Sequence, residues 1–469
     1  MSARGFRRGA RGSQPFFDPF LNPSTALPQT PMGSLTELAH LKCYPLENGM
    51  TWYHLPLEEA PRLAFSLAIP GGNAAEQFPG VADLTDNLLL KGTHRKNSEA
   101  VAIALDSLSL DLDISTRRDY SLMSGVMLED DLEDSLALVA ELFYEASFQE
   151  FELEKEKMMG EIQMELDSPR AAASDLYVKT LFAGTPYATT NSVVLQNLPQ
   201  LTSVTWVQQH YTQHYRPERV VLVTAGPTPV TRLASLLERF FPPRKEPVIS
   251  TPPATGQPLL AQTLQSLTVN QPSPLGLCRP DSNQAHIFKG WLSVAAVHED
   301  YYPLAMMNTI LGGAGLSARL FLELRDKRGL AYNVRSSLEA YCHRGMFSLY
   351  IGTDPARVRE CLEGFEEECQ KLIDILVDEQ ELADAKQNML GRRAIFMETA
   401  LQQAAYVANN LVLGRSIEAI QSAPDRFRAV TAQDLQRVAQ TYLTQPAVVA
   451  LVGPEGALQA CNATVFNGP

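Results

Sequence analysis

The sequence has few cysteines and no closely spaced pair of them. No C-x-x-C motif occurs, and the six cysteines stand far apart, at Cys43, Cys278, Cys342, Cys361, Cys369 and Cys461. This spacing provides neither a zinc knuckle nor the dense disulfide framework of a small secreted domain. We therefore expect a protein of a reducing compartment.

The sequence also has fewer basic than acidic residues, and it has no long apolar run. The 469 residues include 39 Lys and Arg against 53 Asp and Glu, which gives a net charge of −14. A chain of this sign repels phosphate backbones and lacks the basic surface that nucleic-acid binding requires. No apolar run reaches the length that spans a bilayer. The sequence argues against a nucleic-acid ligand and against a membrane span.

The start of the chain lacks the uninterrupted apolar core of a secretion signal. Four arginines precede the segment SQPFFDPFLNPSTALP, which Pro, Asp and Asn interrupt. Residues 1–40, rich in Pro, Gly and Ser, are predicted to be a flexible arm. We expect a cytoplasmic protein, with an arginine-rich organellar transit segment as the alternative.

What the sequence does contain is typical of a globular protein of two domains. Hydrophobic residues make up 45% and charged residues 20%, and the chain is long enough for two cores. A Pro-rich interruption, PPRKEPVISTPPATGQP, has no sustained helical or strand period. We therefore predict domains at 41–241 and 266–469, joined by a linker at 242–265.

The two halves look like copies of one another. DISTRRDYSLMSGVMLEDDLEDSLALVAELF and YNVRSSLEAYCHRGMFSLYIGTDPARVRECLEGF both predict strand, turn, strand and helix, with Asp354 and Pro355 as helix-start residues. Nearer the ends, both halves have a helix, a proline and a buried β-branched strand, and Pro217 aligns with Pro446. The pattern predicts an α+β fold of two homologous domains, each a mixed, largely antiparallel sheet covered by helices.

The segment PGVADLTDNLLLKGT predicts a short helix from about Gly80 to Leu90. At 100° per residue, an apolar face would lie opposite a polar face formed by Asp83, Asp86 and Asn87. Polar groups at i, i+3 and i+4 converge, which is the geometry by which an H-x-x-E-H helix holds zinc and presents a general base.

The frame G-x-A-x-x-x-x-x-x-L-x-K-G-T resembles that of the pitrilysin/insulinase family of zinc peptidases, the inverzincins. By this resemblance the two histidines fall on Asp83 and Asn87, and the catalytic glutamate on Asp86. EKEKMMGEIQMELDSP is similar to the family's segment for the third ligand, which would be Glu161, with Glu154 one helical repeat earlier. The zinc motif is therefore degenerate, and we expect this chain to bind no zinc.

Two other interpretations of the same residues remain open. The oxygens of Asp83, Asp86, Asn87 and Glu161 could suit a hard cation such as calcium or magnesium, but a solvated polar helix face is favoured. FAGTPYATTNS also departs from the family's H-P-Y-G pattern, which points away from an enzyme that acts alone.

The second half preserves more of the family's pattern. LGGAGLSARLFLELRDKRGLAYNVRSS is similar to the family's second-domain signature, and the resemblance makes Arg328 and Tyr332 its functional pair. In active members such residues reach toward the metal site, where tyrosine can donate to the oxyanion and arginine can bind substrate. The alternative is that Arg328 pairs within a structural helix and Tyr332 packs in the sheet.

These features predict a zinc-free subunit of a heteromeric endopeptidase. A paralogous subunit with H-x-x-E-H would carry the zinc and the base, and this chain would supply Arg328, Tyr332 and part of the wall that binds peptide substrates. A structural or peptide-binding homologue is the alternative, and a hydrolase with an altered metal site is a third. His210 and His214 have a possible metal-binding spacing, but no glutamate lies between them, and we predict surface histidines.

Overall fold

The computed structural model describes residues 38–58, 61–244, 267–269 and 274–466. Almost all of the predicted arm and of the predicted linker falls outside these residues. The arm, the linker and the domain boundaries at residues 41, 241 and 266 therefore stay predictions.

The described part of the chain forms two six-stranded sheets of mixed, mostly antiparallel strands. The first has the order β1-β2-β6-β3-β5-β4, and the second has the order β12-β7-β11-β8-β10-β9. The strands of the first sheet are β1 Lys42–Pro45, β2 Thr51–Pro56, β3 Arg62–Pro70, β4 Asp111–Thr116, β5 Tyr120–Leu128 and β6 Val221–Gly226. Those of the second are β7 Leu275–Cys278, β8 Ala285–Ser293, β9 Ala331–Ala340, β10 Gly345–Thr353, β11 Val448–Gly453 and β12 Thr464–Phe466.

Helices connect the strands of each sheet. The first half contains α1 Val81–Leu89, α2 Ser98–Ser107, α3 Leu132–Tyr144, α4 Phe151–Leu166, α5 Pro169–Leu181, α6 Asn191–Asn197, α7 Thr205–His214 and α8 Val230–Phe240. The second contains α9 Tyr301–Asn308, α10 Val358–Asp374, α11 Glu379–Phe396, α12 Ala400–Val412, α13 Ile417–Gln421, α14 Ala423–Ala429, α15 Ala432–Val438 and α16 Glu455–Ala460. Within the described ranges, no helix is both long enough and apolar enough to cross a bilayer.

The sheet orders confirm the predicted α+β fold and the similarity of the two halves. Strands β2-β6-β3-β5-β4 correspond one by one to β7-β11-β8-β10-β9. The predicted strand, turn, strand and helix are β4, β5 and α3 in the first half, and β9, β10 and α10 in the second. Asp354 accepts from Ala356 N–H at 2.8 Å and so caps the 3₁₀ turn Pro355–Arg357 that leads into α10, as its position predicts.

Each half contributes one helix to the sheet of the other half. Helix α12 of the second half packs on β3 and β6, and helix α5 of the first half packs on β8 and β11. Two buried alanines on each helix, Ala172 and Ala173 on α5 and Ala404 and Ala408 on α12, allow close approach to the strands. The larger cores cover the opposite sheet faces, so the sheets are buried on both sides.

Buried polar contacts join the halves as well. The Tyr187 hydroxyl donates to Asp119 at 2.6 Å, and the Cys342 N–H donates to the same carboxylate at 2.8 Å. Tyr187 belongs to the segment that departs from the H-P-Y-G pattern, so this segment has a structural role here.

The six cysteines are all free, as the absence of close pairs predicts.

Candidate functional site

Helix α1 is the element on which the resemblance places the metal site. Its N-cap, Gly80, has a φ of +90°, and a Cβ there would meet Val194 Cγ1 at 2.8 Å. The carboxylate of Glu76 accepts the N–H groups of Gly80 and Ala82, each at 3.0 Å, and so satisfies donors that the helix start leaves open. Burial raises the pKa of Glu76 to about 8.

One of the two faces of α1 is placed as the sequence predicts, and the other is not. Val81, Leu84 and Leu88 enter the core, as expected. The prediction of a solvated polar face is wrong, because Asp86 is only 3% exposed and its neighbours Asp83 and Asn87 are half-buried. The helix packs against α4, α7 and β4, and these three elements cover the polar side.

Both oxygens of the Asp86 carboxylate are engaged by hydroxyl groups. Thr116 Oγ1 on β4 donates to Oδ2 at 2.6 Å, and the hydroxyl of Tyr215, just after α7, donates to Oδ1. Burial raises the pKa of Asp86 to about 6, although hydrogen bonds from Ser121, Thr116 and Tyr215 favour its charged form. Asp86 therefore ties α1 to β4 and to the end of α7.

Asp83 lies beside the same network. Burial raises its pKa, and the opposing influences are hydrogen bonds with Thr116 and Asn73 and the positive charge of Arg117. The negative charge of Asp83 also raises the pKa of Asp86, because two neighbouring carboxylates at a buried site repel each other when both are charged.

The position predicted for the third metal ligand points away from this network. The side chain of Glu161 on α4 is 51% exposed, and its nearest cation is Lys157 Nζ at 3.8 Å. Glu154, one helical repeat earlier, is buried and pairs with Lys91 Nζ at 2.9 Å. Lys91 belongs to the K-G-T end of the motif. It therefore neutralises the carboxylate of Glu154, which is buried between α4 and the end of α1.

These residues do not fit a zinc ion. The donor set contains no imidazole or thiolate, and both oxygens of Asp86 already accept hydrogen bonds. Across residues 38–58, 61–244, 267–269 and 274–466, no cluster of three or more His, Cys, Asp or Glu is arranged to hold a metal. The same finding speaks against the oxygen-ligand cation site, since Glu161 does not join the aspartates.

Arg328 and Tyr332 lie at the start of the edge strand β9. Arg328 follows the π-helical segment Phe321–Lys327, and its guanidinium forms an ion pair with Glu367 of α10. Tyr332 is 82% exposed, and the Arg325 guanidinium lies 4.9 Å from the centre of its ring. The sequence left open that both residues are purely structural. The ion pair expected for Arg328 in that case is observed, but Tyr332 does not pack in the sheet.

A cavity of about 470 Å³ lies between the two halves. Its walls come from the β4–β5 hairpin, from α4, α5 and the segment 189–191, and from strands β8, β9 and β10. Thr116 and Asn73 belong to this lining, so the Asp83 and Asp86 network borders the cavity. Sequence reasoning missed Thr116 and Tyr215, because their contacts with α1 come from distant parts of the chain.

The prediction of surface positions for His210 and His214 is wrong. Both are buried on α7, with ring centres 4.5 Å apart, and His214 Nδ1–H donates to the Pro70 carbonyl at 2.8 Å. Burial lowers both pKa values, that of His214 to about 4. A Cβ at Gly71 would lie 1.9 Å from His214 Nδ1, so the glycine makes room for the imidazole.

Two family profiles match the chain in succession. One, described as Insulinase (Peptidase family M16), matches residues 58–191, and the other, described as Peptidase M16 inactive domain, matches residues 203–389. The chain belongs to peptidase family M16. The gap between the two profiles, residues 192–202, contains nearly all of α6 and ends before α7 and before the last strand of the first sheet.

Curated M16 relatives align over most of their own length. An uncharacterized zinc protease of Mycobacterium leprae is 25% identical over 416 residues, 86% of this chain and 88% of the relative. The uncharacterized zinc protease YmxG of Bacillus subtilis is 26% identical over 429 residues, 89% of this chain and 99% of the relative.

Solved structures share the M16 fold. A Pseudomonas fluorescens structure described as a peptidase M16 inactive domain is 21% identical with a TM-score of 0.77, covering 88% of this chain and 98% of that one. A chain of complex III₂ from Candida albicans is 14% identical with a TM-score of 0.72, covering 89% and 96%. At these identities the likeness concerns the fold alone.

Proposed function

We propose that this M16 chain is the zinc-free subunit of a heteromeric metalloendopeptidase. The observation that carries the proposal is the contrast between its two motifs. Helix α1 has Asp83, Asp86 and Asn87 in the motif positions, and its central carboxylate is held by two hydroxyls. The second half presents an exposed Tyr332 beside Arg328 on an edge strand. The expected compartment is the cytoplasm.

In this proposal a paralogous subunit with H-x-x-E-H supplies the zinc ion and the general base. Tyr332 donates its hydroxyl to the oxyanion that forms when the peptide carbonyl is attacked. Arg328 binds a carbonyl or carboxylate of the peptide substrate. Its pair with Glu367 does not prevent this, because a solvent-exposed ion pair adds little to stability and can exchange partners.

The ion pair also supports a second candidate, a structural or peptide-binding protein without a role in proteolysis. Arg357 donates to the Arg328 carbonyl at 3.0 Å and to the Gly329 carbonyl at 2.9 Å, so the motif is held in place by contacts within its own half. For Arg328, these contacts explain its position without a substrate.

The two candidates separate in a reconstituted complex with an H-x-x-E-H paralogue. The variants are Arg328→Gln and Tyr332→Phe, singly and together, and the matched controls are Arg239→Gln and Tyr301→Phe. The proposal predicts a fall in kcat of roughly 10- to 1,000-fold for the Tyr332 variant and unchanged complex assembly. If the double variant cleaves as fast as the controls, the complementing role is wrong and the structural candidate is favoured.

A further inference from the structure

Helix α4 exposes an apolar face. Leu153 and Met164 are 60% and 64% exposed, and Gly160 lies between them on the same side of the helix. A Cβ at Gly160 would meet no heavy atom within 4 Å. A glycine inside a helix costs stability, and no contact within the described residues requires one at this position. The face is therefore open to a contact that the described part of the chain does not supply.

The duplicated fold places the same features on α11. Helices α4 and α11 are equivalent, because each is followed by the helix that the halves exchange. Gly391 stands as many positions before α12 as Gly160 stands before α5, and a Cβ at Gly391 would also meet no heavy atom within 4 Å. Ile395, which corresponds to Met164, is 59% exposed. The two halves therefore share a glycine beside an exposed apolar side chain.

The charges next to the two glycines are opposite. On α4 the next residue is Glu161, and Glu156 lies one turn before the glycine, with both side chains exposed. The exposed cation of this face, Lys157, lies 3.8 Å from Glu161. On α11 the position of Glu161 is taken by Arg392, and that of Glu156 by the neutral Gln387. A basic segment is therefore attracted to the face of α4 and repelled beside the glycine of α11.

The N-terminal arm has a sequence that complements the face of α4. Its first seventeen residues, MSARGFRRGARGSQPFF, contain four arginines, three phenylalanines and no aspartate or glutamate. Guanidinium groups can pair with Glu156 and Glu161. Phenylalanine rings can lie against Leu153 and Met164, which removes apolar surface from water. Charge and apolar character therefore both fit the arm to this face.

The arm joins the fold at a point from which it can reach α4. The Leu38 carbonyl accepts a hydrogen bond from Gln421 Nε2 at 2.8 Å, which places this point beside α13. The 26 residues between Arg11 and Leu38 extend over at most roughly 85 Å. Helix α4 packs on α1, and α1 packs on β4, the edge strand opposite β1 in a sheet about 24 Å wide. The connection is long enough for contact within one molecule.

We propose that the basic part of the N-terminal arm docks on the exposed face of α4 in the same molecule. Its arginines pair with Glu156 and Glu161, and a phenylalanine ring fills the space above Gly160, between Leu153 and Met164. The docked arm lies at the rim of the cavity between the halves, since the end of α4 belongs to the cavity lining. Docking needs neither zinc nor a second subunit, so it is independent of the proposed function.

Photo-crosslinking of the full chain tests the docking. Phe6 is replaced by p-benzoylphenylalanine, the chain is irradiated, and mass spectrometry of the digest locates the new bond. We expect the main crosslink within one chain, at Met164 or elsewhere in residues 151–167. Crosslinks chiefly to α11, crosslinks spread over the surface, crosslinks chiefly between two chains, or no crosslink within the chain would each overturn the proposal.

Charge variants test the ion pairs. Glu156→Gln combined with Glu161→Gln is expected to lower the crosslink yield by at least about threefold, because two ion pairs are lost together. Sodium chloride at about 0.5 M should lower the yield as well, because it screens exposed charges. The matched control is Glu363→Gln combined with Glu379→Gln, which neutralises two exposed carboxylates of the second half.

A variant of the glycine tests the fit. Gly160→Gln fills the space above the helix and should lower the yield, while the melting temperature stays equal or rises because glutamine is the better helix former. Circular dichroism and thermal unfolding establish that each variant is folded. A folded Gly160→Gln or double glutamine variant that keeps the wild-type yield would show that the arm does not dock on this face.

Discussion

The hydroxyl of Tyr215 donates a hydrogen bond to Asp86, the residue that the resemblance to the zinc peptidases places at the general-base position. The contact connects α1 with the end of α7, and Thr116 completes it from β4. Because both of its oxygens accept hydrogen bonds, Asp86 has a structural role in the first half. This arrangement accounts for how α1 is held against β4 and α7 without a metal ion between them.

Removing the Tyr215 hydroxyl should destabilise the protein. Tyr215→Phe leaves one oxygen of a buried carboxylate without its donor, and we expect a loss of about 1–3 kcal/mol in the free energy of unfolding. Tyr120→Phe is the matched control, because that tyrosine is equally buried and its hydroxyl has no partner in the described residues. Urea titration measures both, and equal losses would contradict the structural role of Asp86.

The contribution of Asp86 to stability should depend on pH. Its pKa is raised to about 6 from an ordinary value near 3.8, so the folded state holds a proton that the unfolded state releases. This contribution is fully present below pH 3.8 and is lost as the pH rises through about 6. At about 1.4 kcal/mol per pKa unit, the change is on the order of 3 kcal/mol.

The measurement is the difference in unfolding free energy between the wild-type chain and Asp86→Asn. We expect the wild-type advantage to shrink between pH 4 and pH 7. An advantage that stays constant or grows over this interval would show that Asp86 is charged in the folded protein.

The contribution of His214 to stability should depend on pH in the opposite direction to that of Asp86. Burial lowers its pKa to about 4, so the unfolded chain takes up a proton near pH 6.5 that the folded chain refuses. Its contribution is present above pH 6.5 and is lost as the pH falls through about 4. His214→Gln should therefore reduce the steepness of acid unfolding, followed by tryptophan fluorescence, and an unchanged steepness would contradict this account.

The exchange of α5 and α12 between the halves predicts that neither half is stable alone. Val407→Asp places a charge where α12 covers the first sheet, and we expect a loss of roughly 3–5 kcal/mol. Ile103→Asp, at an exposed position of α2, is the control and should cost less than about 0.5 kcal/mol.

Segments 38–244 and 267–469 expressed separately should bind a hydrophobic dye and unfold without cooperativity. Cooperative unfolding of either segment would contradict this account.

A chelator should leave the stability of the chain unchanged. The donor set at α1 is tied by hydroxyls and contains no imidazole, so no metal contributes to folding through this helix. Melting temperatures with and without EDTA should agree for the chain alone. A clear fall in the melting temperature with EDTA would reveal a metal site in the molecule.

Local signals in the sequence predicted the local structure well. The helix expected from about Gly80 to Leu90 spans Val81–Leu89, because Pro79, Gly80 and Gly92 delimit it and its apolar spacing is regular. The hairpin of β4 and β5 and its counterpart of β9 and β10 followed from alternation and turn residues, which are also local.

Contacts between distant segments could not be predicted in the same way. An amphipathic pattern shows that one face of α12 is buried, but it does not show that the partner is a sheet of the other half. The same limit explains the error at His210 and His214, since their helix α7 packs against α1, which lies more than 110 positions earlier in the chain. It also explains why the contact of Tyr215 with Asp86 could not be predicted.

The most direct test of the central claim compares the chain alone with the same chain co-expressed with an H-x-x-E-H paralogue. Zinc content is measured by elemental analysis, and cleavage of a quenched fluorescent peptide is measured with and without chelator. The account predicts no zinc and no cleavage for the chain alone, and both in the complex. Stoichiometric zinc with chelator-sensitive cleavage by the chain alone would contradict it.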